Sequence, residues 1–427
     1  MESMIRLKRT SSYSISPYGV TFNDKPLLEY VDSDDSDGHY VSIENGEVKE
    51  FKNIFIGRRD VTITDQYQDL IGSGIVTSPS ECTPIKDTKE LFERMIAIIE
   101  TSVKFPLLST RVGLAAYIFM TWFFNLFDSI PYIKFTGDFG TGKSTALKVL
   151  GSMCYRSVNM AGAVTAAPIF RMIKKVKGTF LIDEADFRKS DFSNDIIKIL
   201  NCGYQKGFSV VRIGSSREPE TFDVFCPKII GTRSQFDDTA LESRCFTTVM
   251  KPMKPEGLLP THSFTFKEQT EIVRNQLLYL RLTMFENDMG SNIHDRKFKI
   301  KMDSNWEPRI QQIADPLLIM TPEEYKEQIY EFIELANTKF LSDRKDTIEE
   351  VIYDCVNSAT NDNPLEYKCK LTEVYRHLDK PEKKRYPVRK IGAIMRNLGF
   401  ELQKKNDGLW VYWDDNISIE LQSRIRK

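Results

Sequence analysis

The eight residues Gly137-Asp138-Phe139-Gly140-Thr141-Gly142-Lys143-Ser144 decide the fold of the central part of this chain. They follow an apolar run, residues 132–135, that predicts a strand, and they lead into residues 144–153, which predict a helix. Glycines let backbone N–H groups curl around phosphate oxygens, and the start of a helix adds a partial positive charge. Lys143 is expected to reach the β- and γ-phosphates of ATP, and the Ser144 hydroxyl to ligate Mg²⁺. The residues expected to contact the nucleotide are Gly137, Asp138, Phe139, Gly140, Thr141, Gly142, Lys143, Ser144 and Thr145.

A second acidic motif, Gly178-Thr-Phe-Leu-Ile-Asp183-Glu184-Ala-Asp186, follows Lys143 at a distance of forty residues to Asp183. Its apolar residues predict a buried strand with carboxylates at the end that faces the phosphates. Asp183 is expected to hold Mg²⁺ through water, and Glu184 to orient and deprotonate the attacking water. The second carboxylate favours hydrolysis over binding alone. The alternative for Glu184 is an acid that stabilises the start of a helix.

Alternating strand and helix patterns between residues 132 and 250 predict a parallel α/β sheet, so the fold class is α/β with a P-loop core. Short alternating runs make the N-terminal part β-rich, and helical patterns at 265–286 and 322–337 predict a lid. The expected domains are a β-rich domain at 1–85, the ATPase core at 86–260, a helical lid or connector at 261–342 and a last unit at 343–427.

The last unit predicts a winged helix-turn-helix that binds DNA. Two short helices precede two strand-like runs that flank Asn406-Asp407-Gly408, a strong hairpin turn. The second helix, starting at Pro387, would bury its apolar residues and turn its basic residues outward. The expected DNA contacts on it are Arg389, Lys390 and Arg396. A winged helix used for protein contacts is the alternative.

Composition excludes several classes of protein. The 427 residues are 41% hydrophobic and 28% charged, which excludes disorder throughout, and the net charge is −1. This balance hides an excess of five acidic residues in residues 1–80 and of five basic residues in 371–427. Seven scattered cysteines without a C-x-x-C pair argue against a disulfide scaffold and suit a cytoplasmic protein. No secretory signal is visible, and the apolar segment 112–127 is too short for a membrane span, so we expect a buried helix there and no membrane partner.

Two further motifs carry a family resemblance. Cys226-Pro-Lys-Ile-Ile-Gly-Thr232 is another buried strand with a polar end, and Leu241-Glu-Ser-Arg244 follows it. Together with the P-loop and the Asp183-Glu184 pair, these motifs resemble the AAA+ class, and within it the MCM-like and superfamily-3-like helicases of phages, plasmids and staphylococcal mobile elements. The letters D-E-A-D also suggest a DEAD-box protein. The short interval after the P-loop and the lack of a second α/β domain argue against that alternative.

The resemblance implies roles for single residues. Arg244 would be an arginine finger that contacts the γ-phosphate held by a neighbouring subunit, which implies a homo-oligomer, a hexameric ring. Thr232, or its neighbour Arg233, stands where the family usually has the sensor-1 asparagine, and Arg309 is the candidate sensor-2 arginine. A surface salt bridge is the alternative for Arg244, and a structural ion pair for Arg309.

The resemblance also implies a DNA-contacting hairpin between Asp186 and the strand that starts near Cys226. Two β-prone runs there flank Gly214-Ser-Ser-Arg217, so Arg217 would contact DNA, with Lys206 or Arg212 as second choices; an ordinary exposed hairpin is the alternative. The function so implied is an ATP-hydrolysing, ring-forming DNA helicase or translocase in replication of a phage or mobile element. The alternatives are a non-helicase AAA+ initiator, loader or remodeller, and a DNA-binding regulator whose nucleotide site only switches its assembly.

Overall fold

The computed structural model describes residues 2–8, 10, 13–23, 25–33, 38–160, 166–183, 191–213, 218–236, 238–252, 256–287, 303–345, 348–360, 368–379, 383 and 386–414. The chain divides into two compact units, Met1–Ala336 and Asn337–Lys427. Each unit has a hydrophobic core of its own. The protein is a mixed α/β structure.

The first unit begins with a seven-stranded sheet made of β1 (Glu2–Leu7), β2 (Tyr13–Ser16), β3 (Gly19–Phe22), β4 (Lys25–Val31), β5 (His39–Glu44), β6 (Glu47–Ile56) and β7 (Arg59–Asp60). The strand order is β1-β6-β5-β4-β3-β2, with β7 beside β6. β1 runs parallel to β6, and the other neighbours are antiparallel, as short strands joined by tight turns require. The β-rich character expected from the sequence is therefore present.

Residues 61–64 (VTIT) are one of the alternating N-terminal runs from which strands are expected, but they form an irregular link to helix α1 (Asp65–Gly72). Val61 N donates to the Ile54 carbonyl oxygen of β6 at 3.0 Å, whereas the next two backbone N–H groups bond to side chains. Ile63 N donates to Tyr40 Oη at 2.7 Å, and Thr62 N donates to Asp60 Oδ1 at 2.9 Å. Such side-chain partners replace a ladder without leaving a buried N–H unsatisfied.

Two helices, α2 (Thr88–Ser102) and α3 (Leu108–Thr121), lead into the central part of the first unit. Every residue of α3 is buried except Leu108 and Arg111, which confirms a buried helix for residues 112–121 of the apolar segment. The rest of the segment forms a turn and the 3₁₀ helix Phe124–Leu126 instead. Among the described residues, no helix combines the length and apolarity that crossing a membrane would take.

The central sheet consists of β8 (Tyr132–Thr136), β9 (Val158–Met160), β10 (Phe180–Ile182), β13 (Lys228–Thr232) and β14 (Cys245–Val249). All its neighbouring strands are parallel, and their order is β14-β8-β13-β10-β9. β13 is thus inserted between β8 and β10, although it follows both of them in the chain. Around this sheet lie α4 (Lys143–Gly151), α5 (Ala166–Val176), α6 (Asp191–Cys202) and the short α7 (Thr239–Glu242).

A separate hairpin, β11 (Ser209–Ile213) and β12 (Pro219–Asp223), lies between α6 and β13 in the chain. After the central sheet come α8 (Phe264–Glu286), α9 (Pro308–Met320) and α10 (Lys326–Lys345). The helix expected at 322–337 starts later and runs further, because a 3₁₀ turn at Glu323–Tyr325 precedes it. Helix α9 lies outside the two ranges expected from the helical pattern, 265–286 and 322–337.

A buried ionic cluster joins three parts of the first unit. Glu29 on β4 lies 2.5 Å from Arg156 Nη2 and 2.8 Å from Arg281 Nε on α8, and it accepts a hydrogen bond of 2.9 Å from Tyr155 Oη. Burial alone would raise the pKa of Glu29, but the two arginines outweigh it and the pKa is lowered. The N-terminal sheet is therefore fastened to the central part and to α8 through one carboxylate.

The second unit contains α11 (Ile348–Thr360), β15 (Lys368–Lys370), α12 (Leu371–His377), α13 (Val388–Asn397), β16 (Glu401–Lys405) and β17 (Gly408–Tyr412). The three strands form an antiparallel sheet in the order β15-β17-β16. The two short helices and the hairpin lie where the sequence pattern predicted them. β15 and α11 complete the unit.

Candidate functional site

The glycine-rich loop connects the carboxyl end of β8 to the start of α4. Gly140 and Gly142 have φ angles of 75° and 90°, a left-handed conformation that glycine adopts without strain. At Gly137 a Cβ atom would lie 2.4 Å from the carbonyl oxygen of Met250, so a side chain has no room there. The glycines of the motif are thus needed for the path of the backbone.

The start of α4 supplies hydrogen-bond donors to this loop. The first four N–H groups of a helix have no partner within the helix, and Gly142 provides no side-chain cap. Lys143 Nζ donates to the carbonyl oxygens of Gly137 at 2.6 Å and Asp138 at 2.7 Å, so the ammonium group lies across the loop. Ser144 and Thr145 are exposed. These donors have the chemistry and placement that a polyphosphate needs.

Asp183 lies directly after β10, at the same carboxyl edge of the sheet as the loop. A Cβ atom on Gly231 of β13 would lie 2.9 Å from Asp183 Oδ1 and 3.2 Å from Leu147 Cδ1 of α4. The Asp183 carboxylate therefore lies over Gly231, close to the helix that follows the loop. Glu184, the expected catalytic base, lies outside the described residues, as does Arg217 of the hairpin.

Thr232 ends β13, the strand between the loop and Asp183. It pairs with Thr136 of β8 and is buried. Its hydroxyl donates to the Ser234 carbonyl oxygen at 2.9 Å, while the neighbouring Arg233 is exposed. Both sensor-1 candidates thus belong to the edge that carries Gly137 and Asp183.

The two other arginines predicted to act on nucleotide meet at a single tyrosine. The guanidinium carbon of Arg244 lies 4.6 Å from the centre of the Tyr204 ring, and that of Arg309 lies 5.1 Å from it. Arg309 Nη1 also donates to Tyr204 Oη at 2.5 Å and to Gln312 Oε1 at 2.7 Å. Among the described residues neither arginine forms an ion pair with a carboxylate. Both guanidinium groups instead contact the ring of Tyr204.

These arginines lie at the opposite edge of the sheet from the loop. The carbonyl oxygen of Arg244 accepts a hydrogen bond from Tyr132 N at 2.9 Å, and Cys245 pairs with Tyr132 at the amino end of β8. From Tyr132 to Thr136 a strand covers about 13 Å, at about 3.3 Å per residue. Arg244, stacked on Tyr204, therefore does not reach the loop of its own chain.

The expected hairpin is present, with Arg212 opposite Glu220. The Arg212 guanidinium lies 4.8 Å from the Phe170 ring, and Lys206 Nζ donates to the Asn125 carbonyl oxygen at 2.5 Å. Both second choices therefore make contacts within the chain.

In the second unit α13 has the two faces that its sequence predicts. Ile391 and Met395 are buried, and Arg389, Lys390 and Arg396 are exposed. The three expected DNA contacts therefore share an accessible basic surface.

Two further residues that shape the central part of the first unit could not be found from the sequence motifs. Tyr204 belongs to no sequence motif, because its role depends only on the two distant arginines that it contacts. Lys134 on β8 forms a buried ion pair with Glu242, and its ammonium lies 4.8 Å from the Phe236 ring centre. A lysine in the middle of an apolar strand was the available signal for this pair.

Comparison with known proteins gives structural likeness only. No protein-family model and no curated protein matches the chain. The structure described as "SCCmec type IV Cch - active helicase" is 13% identical, over 97% of this chain and 99% of that chain, with a TM-score of 0.41. The apo C-terminal region of NrS-1 is 10% identical, over 90% and 96% of the two chains, with a TM-score of 0.34. JCV helicase is 14% identical, over 69% and 70%, with a TM-score of 0.25.

Helicases are thus among the structural neighbours of this chain, in agreement with the resemblance seen in its motifs.

Proposed function

We propose that this chain hydrolyses ATP with the help of Mg²⁺. The observation that carries the proposal is the meeting of two motifs at one edge of a parallel sheet: the loop after β8 and Asp183 after β10, with β13 between them. The residues fit a nucleotide, since the left-handed glycines, the open start of α4 and Lys143 together form a cradle for phosphate oxygens.

In this proposal each residue has a limited task. Bound Mg²⁺ would neutralise charge that develops on the β- and γ-phosphates. Ser144 and Asp183 would hold the ion, and Lys143 would turn from its two carbonyl partners to the phosphates. Glu184 would orient the attacking water and accept its proton. Thr232 or Arg233, at the end of the intervening strand, would contact the γ-phosphate.

We further infer that hydrolysis needs a second copy of the chain. Arg244 lies at the amino edge of the sheet, whereas the loop lies at the carboxyl edge. A finger from this position serves a nucleotide held by a neighbour. Contact between two different surfaces is head-to-tail, and such contacts form a ring where the rotation between subunits closes. The hexamer number rests on the motif resemblance.

The proposed work of the ring is movement on DNA, as a helicase or translocase in replication of a phage or mobile element. The β11–β12 hairpin with Arg217 and Arg212, and the basic surface of α13, would contact the strand. In this proposal residues 1–85, 86–260, 261–342 and 343–427 act as a β-rich domain, an AAA+ core, a lid and a winged helix. The seven unpaired cysteines suit the reducing cytoplasm.

The test is ATP turnover with and without single-stranded DNA, followed by strand displacement on a forked duplex. We expect DNA to stimulate turnover and the fork to open. Lys143→Ala is the control, and an ATPase rate unchanged by it would refute the site. Stimulated turnover without displacement would favour the initiator, loader or remodeller; nucleotide binding without turnover would favour the regulator.

A further inference from the structure

The three-stranded sheet of the second unit has an inner and an outer face. Val411 of β17 is fully buried and packs with Cys369 and Leu402 against the helices. Since successive side chains of a strand point to opposite faces, Trp410 and Tyr412 belong to the outer face.

Lysines surround these two aromatic rings. The cross-strand register places Lys370 opposite Trp410 and Lys368 opposite Tyr412. Lys370 Nζ lies 5.3 Å from the centre of the Trp410 ring, and Lys405 Nζ lies 5.3 Å from the same ring and 5.1 Å from that of Tyr412. The outer face therefore combines two aromatic rings with three lysines and, directly opposite Tyr412 on β16, the carboxylate of Glu401.

The hairpin turn fixes the orientation of Trp410. Its indole Nε1 donates to Asp407 Oδ1 at 2.9 Å, and Lys370 Nζ lies 2.8 Å from Asp407 Oδ2. The hydrogen bonds from Lys370 and Trp410 lower the pKa of Asp407 to about 2, so this carboxylate stays ionised at neutral pH and holds both partners. The ring is thus held in place before any ligand arrives.

Packing of the core does not account for these rings. Phe400 and Trp413 supply the aromatic contacts of the core, where their ring centres are 5.9 Å apart. Trp410 and Tyr412 lie on the other side of the sheet and are partly exposed, although the hydroxyl oxygen of Tyr412 is itself buried. Aromatic rings interleaved with lysines are the chemistry that unpaired nucleobases and their phosphates recognise.

We propose that this outer face binds single-stranded nucleic acid, with bases stacked on Trp410 and Tyr412 and with Lys368, Lys370 and Lys405 on the phosphates. The two rings are two residues apart on one strand, about 7 Å, which leaves space for one base on each. A duplex offers no free base faces, so the ligand is a single strand. The surface is separate from the basic residues of α13, and it deepens the proposed function by naming where an unpaired strand is held.

The test is binding of a fluorescently labelled oligothymidine to the full chain without nucleotide, over a series of salt concentrations. We expect Trp410→Ala and Tyr412→Ala each to weaken binding at least about fivefold, with an unchanged dependence on salt. Lys405→Gln should instead reduce the slope of log K against log salt by roughly 0.7, since one phosphate contact is lost. Trp410→Phe retains a ring, and we expect it to keep most of the affinity.

The proposal would be overturned if Trp410→Ala and Tyr412→Ala bound the oligothymidine as tightly as the wild type does. It would also be overturned if these variants lost as much affinity for a blunt duplex. A loss of affinity in Trp410→Phe as large as in Trp410→Ala would overturn it as well. Arg389→Gln on α13 is the matched control, because it should affect duplex binding more than the oligothymidine. The measurement uses no ATP. An absence of ATP turnover would refute the proposed function and would leave this binding test standing.

Discussion

Mixing two inactive variants tests whether Arg244 of one subunit acts on the nucleotide held by the glycine-rich loop of its neighbour. Arg244 stacks on Tyr204 at the amino end of β8, and the loop begins about 13 Å further along that strand. Arg244→Ala should therefore leave ATP binding intact and lower kcat about 1,000-fold or more, because the γ-phosphate of the neighbour loses its cation. That loss corresponds to about 4 kcal/mol of transition-state stabilisation.

The complementary variant is Glu184→Gln, which keeps its finger and lacks the expected base. In a random equimolar mixture about one quarter of the head-to-tail interfaces pair an intact loop with an intact Arg244. We expect turnover to rise from near zero to a maximum at equal amounts of the two variants. The assay is steady-state phosphate release at constant total protein across the mixing ratios.

A flat profile at every ratio would refute the trans arrangement, provided that both variants assemble as the wild type does. Sedimentation of each variant and of the mixture in the presence of ATP checks this condition. Lys143→Ala serves as a second partner for Arg244→Ala, since its defect lies in the loop itself. If one partner restores turnover and the other does not, the failure lies in the partner that does not restore it and not in Arg244→Ala.

The remaining predictions concern single positions. Glu29→Gln should lower the free energy of unfolding by about 3–5 kcal/mol, because it leaves Arg156 and Arg281 buried without their anion. The pKa of Glu29 is lowered when folded, so its contribution is present above the ordinary value of 4.5 and is lost as the pH falls through the folded pKa; denaturant titrations of the variant should lack this dependence. Gly142→Ala, at a φ of 90°, should cost about 1–2 kcal/mol and weaken nucleotide binding measured by titration; unaltered affinity would contradict the role of this glycine. Tyr204→Ala should lower turnover as Arg244→Ala does, and Glu184→Gln subunits should restore it. Tyr204→Phe, which keeps the ring, should retain most activity. Restoration of Tyr204→Ala turnover by Arg244→Ala subunits would contradict this role of Tyr204.

Local chemistry explains which parts of the site could be predicted from the sequence. The loop at Gly137–Lys143 is recognisable because its positive φ angles require glycines at fixed spacing, and a lysine follows them at the start of a helix. The strand before Asp183 is recognisable because a run buried on both faces is continuously apolar. The two faces of α13 follow from helical periodicity in the same way.

Contacts between distant segments could not be predicted. Glu29 meets Arg281 across 252 positions of sequence, and nothing in the strand around Glu29 distinguishes it from an ordinary surface acid. Tyr204 likewise acquires its two arginines only through the fold. The irregular path of residues 61–64 has the same origin, because Tyr40 on a neighbouring strand supplies the hydrogen bond that a partner strand would have given Ile63.

A single strand connects the two edges at which the proposed chemistry takes place. β8 ends in the glycine-rich loop and begins beside Arg244. Its middle residue, Lys134, forms the buried ion pair with Glu242, two positions before that arginine. A buried pair of this kind tolerates little relative movement, since separating its charges in a low-dielectric interior is costly. A shift of β8 on nucleotide binding would therefore carry the Arg244 segment with it. In a head-to-tail ring, nucleotide binding at the loop of one subunit would in this way move the Arg244 that the same subunit presents to its neighbour.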